Sequence, residues 1–325
     1  MPPGLLLAGL LAMLLAGAPA RAADAPTVRV GVLKFGTVQW ELDVIRRHGL
    51  DAKHGVHVEQ LELAGKDSTA VALQSAAVDA IVTDWLWVSH QRAAGRNYSF
   101  VAHSSAAGAL MVRPDSGIKT LADLKGKRIG VAGSAVDKSW LIFRAYLKKT
   151  QGFDPATDAE PVYGAPPLLN ELLLKGRLPC ALNFWNLNAR LAGSGITPLL
   201  QVKDMLPALG IDTPLPLVGW VFSDAWAESH GDALRGFLAA SHDAKQLLAS
   251  SDAEWRALAP LTQATDDATL AALRDAYRQG IADGTRPEQI AAADKLLQLI
   301  AEIGGPQLLD GETRLAPGTF WAGGS

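Results

Sequence analysis

The residues best placed to do chemistry are aromatic and polar side chains that follow short apolar runs. After Val28–Leu33 comes Lys34-Phe35-Gly36-Thr37-Val38-Gln39-Trp40, and after Ala80–Val82 comes Thr83-Asp84-Trp85-Leu86-Trp87. Ser104-Ser105 follows Phe100–Ala102, and the stretch Gly133 to Trp140, with Ser134, Asp137 and Lys138, follows Arg128–Val131. Asn183-Phe184-Trp185-Asn186 ends the run from Ala181, and Trp220 lies within Pro216–Phe222. Six of the nine tryptophans belong to these segments. Aromatic walls with a few oriented polar groups describe a cleft for a small organic ligand. Each tryptophan taken singly is as easily a core residue, since the type is highly buried on average.

The candidate ligand-binding set is therefore Phe35, Thr37 and Trp40, then Asp84 and Trp85, then Ser105. From the second half it takes Ser134, Lys138 and Trp140, then Asn183 and Trp185, and finally Trp220. Asp84 has two readings of equal weight: a counter-charge for a ligand cation beside indole faces, or a helix N-cap. Ser134 and the amides before Trp140 can hold an anionic or carbonyl oxygen at a helix N-terminus, or Ser134 and Asp137 simply cap it. Lys138 is expected in solvent. The residues leave the solute open between an aromatic, a cationic and an anionic one.

Signatures of catalysis are missing. The chain has no G-x-S-x-G elbow, no H-E-x-x-H, no phosphate loop and no G-x-G-x-x-G. An enzyme would need a nucleophile and a base, and His103, next to Ser104-Ser105, is the base nearest these segments. His48, His54 and His57 fall close together, but Gly49 and Gly55 break the intervening helix and no paired carboxylates accompany them. A solvated surface is expected there, with no metal. Cys180, the only cysteine, follows Pro179 and reads as a small buried apolar residue. No cofactor is implied.

Lys and Arg total 30 against 33 Asp and Glu, for a formal net charge of −3, which gives no footprint for nucleic acid. At 49% hydrophobic and 19% charged, the chain is expected to fold. Leu5–Leu15 is apolar throughout but too short to span a bilayer, and Ala20-Arg21-Ala22 has the small-x-small form of a cleavage site. No cysteine follows to carry a lipid. Residues 1–22 are expected to be a signal peptide, leaving a soluble, monomeric periplasmic protein.

Short strands alternate with helical segments from Thr27, which builds mostly parallel sheets covered on both faces. Ala109–Val112 has no helix before it and should run antiparallel. Arg113–Gly117 is turn-rich and reads as a linker, and Pro207, Pro214 and Pro216 punctuate a return. Two α/β modules are expected, joined by crossings near 113–117 and 203–216. The first holds 23–113 and 206–325, the second 114–205, and 224–303 is nearly all helical.

Three blocks carry a resemblance to a family. Ser116–Val131 reads SGIKTLADLKGKRIGV, Gly49–Glu59 reads GLDAKHGVHVE, and Ala72 onward to Val82 keeps an A-x-x-x-x-x-V-D-A-x-V pattern. Together they resemble the periplasmic substrate-binding components of ABC importers, and within them the SsuA/THI5-like or NMT1-like group for sulfonates, nitrate, taurine and thiamine pyrimidines. The resemblance implies a two-lobed, type II periplasmic-binding-protein fold closing about two hinge crossings. It also implies delivery of the solute to an ABC permease, and no enzyme. The catalytic pyrimidine-synthase branch carries a cysteine-rich motif, which a single cysteine does not supply. Rival functions are an enzyme using the same cleft, or a sensor or cargo-delivery protein.

Overall fold

The computed structural model describes residues 25–213, 215–282, 287–304 and 311–323. The expected signal segment lies outside the described residues. Among the described residues ten strands form two five-stranded sheets. They are β1 (Thr27–Leu33), β2 (His57–Leu63), β3 (Ala80–Thr83), β4 (Tyr98–Ser104) and β5 (Ala109–Val112). The rest are β6 (Arg128–Ala132), β7 (Glu160–Gly164), β8 (Cys180–Asn183), β9 (Thr197–Gln201) and β10 (Val218–Ser223).

The first sheet has the order β2-β1-β3-β10-β4 and the second β7-β6-β8-β5-β9. They are built alike. In each, one strand runs parallel to both of its neighbours, as β1 does between β2 and β3 and β6 between β7 and β8. A single antiparallel strand then sits fourth, β10 in the first sheet and β5 in the second. The antiparallel strand is in each case the one the chain enters directly from the other sheet. A parallel neighbour needs a crossover of a dozen or more residues, and neither has one within its own sheet.

β5 is antiparallel as its position demands, but it belongs to the second sheet. The first crossing is therefore residues 105–108, and the expected linker Arg113–Gly117 lies inside the second unit. There it forms a turn, with Ser116 N–H donating to Arg113 O at 3.2 Å and Gly117 at φ +73. Arg113 N–H and Nη1 anchor it to Pro179 O at 3.0 Å and Leu173 O at 2.6 Å. Turn chemistry and linker chemistry share a composition, which is why the sequence misplaced the boundary.

The helical tail is also divided. Pro287–Gly304 packs against the helix Lys138–Gln151 of the second unit, with Leu296, Leu297 and Ile300 buried in one cluster with Leu141 and Met205. Residues 311–323 return to the first sheet, where Phe100 N–H donates to Thr319 O and Trp321 N–H to Phe100 O, both at 2.9 Å. The span 206–325 is thus not confined to the first unit.

A buried polar network fastens the helices of the first unit to its sheet. Glu41, fully buried, accepts from the Ser241 hydroxyl, from Tyr277 Oη at 3.3 Å and from His103 Nε2 at 3.0 Å. Trp220 Nε1 donates to Ser241 Oγ at 3.0 Å, and Lys245 Nζ donates to His103 O at 2.9 Å. Burial opposes the Glu41 charge, but Lys245 and the hydrogen bonds from His103 and Ser241 outweigh it and bring its pKa down from 4.5 to about 2. Burial and Lys245 push His103 the other way from charge, so the ring is neutral and Nε2 carries the proton. Its Nδ1 is then a lone pair without a partner, which is less costly than an orphaned donor.

Because the folded Glu41 titrates below its unfolded value, it contributes stability above pH 4.5 that is lost as pH falls towards 2. Glu41→Gln should flatten the fall of the urea midpoint between these pH values. At pH 7 it should cost about 3 kcal/mol by leaving Lys245 without its counter-charge. Gly108→Ala should also destabilise, by about 1–3 kcal/mol, because its Cβ would lie 1.7 Å from Asn183 O. Urea titrations of both variants read these effects.

Candidate functional site

The cleft lies at the C-terminal ends of the parallel strands of both sheets, the edge where open α/β sheets receive ligands. It has two chambers, one of about 150 Å³ and one of about 770 Å³, which share Leu33, Phe35, Lys66, Thr83, Asp137 and Phe184. The small chamber is closed by both crossings, through Ala106, Ala107 and Gly108 on one and Leu217 and Val218 on the other. Thr37, Lys138 and Trp185 complete it. The large chamber opens between Trp87 of the first unit and Tyr163 of the second, with Ser134, Val136 and Leu297 on its walls.

Local structure delivers the charged groups. Gly65 is extended and ends β2's exit, and Ser68 Oγ accepts its N–H at 3.0 Å, so the helix Lys66–Gln74 starts at the cleft. Asp84 is the N-cap of Trp85–Ala93, its Oδ1 accepting Trp87 N–H at 3.0 Å. Asp137 is the N-cap of Lys138–Gln151, its Oδ1 accepting Ser139 N–H at 2.9 Å. The turn before it needs Gly133 at φ +88, a left-handed backbone that suits glycine.

These caps leave one carboxylate oxygen each for a second task. Lys66 Nζ lies 2.9 Å from Asp84 Oδ2 and 3.7 Å from Asp137 Oδ2, so one ammonium joins a carboxylate of each unit. Burial disfavours the Lys66 charge, but the two aspartates outweigh it and raise its pKa well above the lysine norm. Burial likewise opposes the Asp84 charge, and Lys66 with Lys138 holds that carboxyl far below its usual range. Lys138, expected in solvent, is buried at 6% exposure, and its Nζ donates across the cleft to Leu217 O at 2.7 Å. Desolvation lowers its pKa against the pull of Asp84. An ammonium at the first turn of a helix points back towards the turn before it, and here that direction is the opposite unit.

Of the sequence candidates, Phe35, Thr37, Asp84, Ser134, Lys138 and Trp185 line the chambers. Trp40, Trp85, Trp140 and Trp220 do not; all four are core residues at 0–1% exposure. Trp40 Nε1 donates to Leu261 O at 3.3 Å and Trp85 Nε1 to Pro216 O at 3.1 Å, while Trp140 packs edge-on to Tyr163. Ser105 N–H donates to Gly280 O at 2.8 Å. Asn183 is buried and fixes the end of β8, donating to Asn170 Oδ1 at 2.8 Å and Pro166 O at 2.9 Å. Trp185 crosses the seam: its ring stands edge-on to Trp40 at 6.0 Å and lies 6.3 Å from Tyr277.

Lys66, Asp137, Trp87, Tyr163 and Phe184 are lining residues that were not in the candidate set. Tyr163 lies in the last two residues of β7 and the other four follow strand ends, so position alone would have found them. Leu297 and Glu312, which also line the large chamber, carry no such signal. His103 lines neither chamber. His48 pairs with Glu254 at 3.0 Å and His54 with Asp243 at 2.9 Å, and the described residues hold no group of three metal-ligating side chains. Burial pushes the Cys180 thiol up to about 12.

A family profile described as NMT1/THI5 like matches residues 44–254. No match is found among curated protein sequences. Solved structures do match. The alkanesulfonate-binding protein SsuA from Xanthomonas axonopodis pv. citri, bound to MOPS, aligns with TM-score 0.75 and 18% identity over 92% of this chain and 99% of that one. The periplasmic aliphatic sulphonate binding protein SsuA from Escherichia coli gives TM-score 0.69 and 20% identity, over 92% and 94%. The periplasmic nitrate-binding protein NrtA from Synechocystis PCC 6803 gives 0.58 and 14%, over 73% and 66%. With them this chain shares the type II periplasmic-binding-protein fold, two mixed sheets flanked by helices.

The Lys66 contacts set a stability test. Lys66→Met should lower stability by about 2 kcal/mol, because two carboxylates lose their shared donor. Adding Asp137→Asn, which still caps the helix, should recover part of the loss. Urea midpoints of the wild type, the single and the double variant at pH 7 decide it.

Proposed function

The chain belongs to the NMT1/THI5-like family, and from that we propose that it captures a small organic solute between its two lobes and delivers it to an ABC permease. The observation that carries this reading is the pair of joined chambers walled by both lobes and bridged by Lys66. A solute touching both walls interacts with the closed arrangement and loses half of its contacts when the lobes part. That difference in affinity is what drives closure, since equal binding to two states shifts nothing. The periplasm is the compartment of the SsuA and NrtA structures as named, and an Ala-x-Ala end after an apolar run supports export here. Among the described residues no helix is long and apolar enough to cross a membrane.

Binding without turnover fits the chemistry of the walls. Lys66, Asp84 and Asp137 are engaged with one another, and the one histidine considered as a base, His103, is held in the Glu41 network. The sulfonate and nitrate named for the matched structures set the kinds of solute to try first.

A thermal-shift and tryptophan-fluorescence screen tests the reading, with sulfonates, carboxylates, ammonium compounds and aromatic heterocycles. A solute at 100 times its dissociation constant should stabilise the fold by about 2.7 kcal/mol. It should also alter emission, because Trp185 meets Trp40 across the seam. A flat response to every solute, with no small molecule released from the purified protein on denaturation, would falsify it.

A further inference from the structure

The cleft carries a charge balance that narrows the solute. At the junction of the chambers stand two cations, Lys66 and Lys138, and two anions, Asp84 and Asp137. Asp84 is buried and Lys66 only partly so, and each is held charged by the other. Towards the mouth the large chamber adds Asp67, which is exposed, and Glu312, which meets His90 Nδ1 at 2.8 Å. Among the described residues no arginine lines either chamber. The walls are therefore neutral at depth and lean negative outside.

The hydrogen-bonding inventory is two-sided as well. Lys66 donates to Asp84 Oδ2, and Lys138 donates to Leu217 O, so each ammonium, with three N–H groups, retains donors for a solute. Asp137 Oδ1 accepts from Ser139, while its Oδ2 has only the 3.7 Å approach of Lys66 and retains capacity to accept. Apolar surface dominates the remainder, with Trp87 and Tyr163 on opposite walls of the large chamber and Phe35 and Phe184 at the neck. A cavity of about 150 Å³, the size of the small chamber, is large enough for a benzene ring.

Resting on the solute-binding reading, we infer that the solute bears a ring and has no net charge, presenting an acceptor to Lys66 and Lys138 and a donor to Asp137. A simple anion would gain the two ammonium groups but add an uncompensated charge next to two fixed carboxylates, away from water. A simple cation would meet the reverse penalty from Lys66 and Lys138. A zwitterion, or a neutral ring carrying both donor and acceptor, satisfies both sides. The aspartates thus exclude small anions as much as they position the lysines.

Isothermal titration of the mature protein at pH 7 and low salt tests this with matched sets on one ring. The phenyl set is phenethylamine, 3-phenylpropionate and phenylalanine; the indole set is tryptamine, indole-3-propionate and tryptophan. The zwitterion of a set should bind about tenfold or more tighter than its acid-only and amine-only partners, about 1.4 kcal/mol per tenfold. Asp137→Asn, which retains the cap and leaves the junction net positive, should shift that preference towards the acid by about tenfold. An acid that binds the wild type as tightly as its zwitterion overturns the charge inference, as does an unchanged preference in Asp137→Asn. So does a simple anion, nitrate or methanesulfonate, found as the best binder in the broader screen. Failure of every solute here and in the broader screen, with no small molecule released on denaturation, overturns the solute-binding reading itself.

Discussion

A charge withdrawn from water must find an opposite charge close by, and in this molecule the requirement is met across the gap between two sheets. Lys66 answers to Asp84 on its own side and to Asp137 on the other, and Lys138 reaches back to a carbonyl at the foot of β10. Each of these groups is at a helix start that follows a strand. The two aspartates are caps first, and their second oxygens are what remain to meet the lysine. The position of the cleft, its neutral depth and the contact between the lobes therefore rest on two ordinary N-cap residues.

The strand pattern was legible because it rests on local periodicity. The strands β1, β3, β4, β5, β6, β8 and β10 start within two residues of where apolar runs place them, and β5 is antiparallel because no helix precedes it. Its sheet was not legible. Arg113-Pro114-Asp115-Ser116-Gly117 has the composition of a boundary, yet its hydrogen bonds to Leu173 and Pro179 make it part of the second lobe. The true crossing, Ser105-Ala106-Ala107-Gly108, is only four residues and contains nothing that marks a linker. Pro287–Gly304 was read as helix and is one, but which lobe it covers depends on partners remote in sequence.

The site shows the same division. That strand ends would carry it was readable; which side chains face it was not. Trp85 and Trp87 are two residues apart at a helix start, hence about 200° apart around the axis, so one enters the core when the other faces the chamber. Nothing in a nine-residue helix of weak amphipathic character fixes that phase in advance. Lys138 was misplaced because a lysine is usually solvated, and its partner is the carbonyl of Leu217, 79 positions away. Lys66 was not among the candidates, because its value comes only from meeting Asp137.

Both crossings run along the wall of the small chamber, through Ala106–Gly108 and through Leu217 and Val218. Rotation about an axis moves a point in proportion to its distance from that axis. If the lobes close as proposed, by rotation about these two crossings, the small chamber has a short lever arm and keeps most of its shape. The large chamber, bounded by Trp87 and Tyr163, has a long one and changes most. In the closure proposed above, the inner compartment would be a gauge that stays set while the jaws move. Solute would be measured first against a nearly rigid pocket, and only what fits there would remain long enough for the outer walls to meet around it.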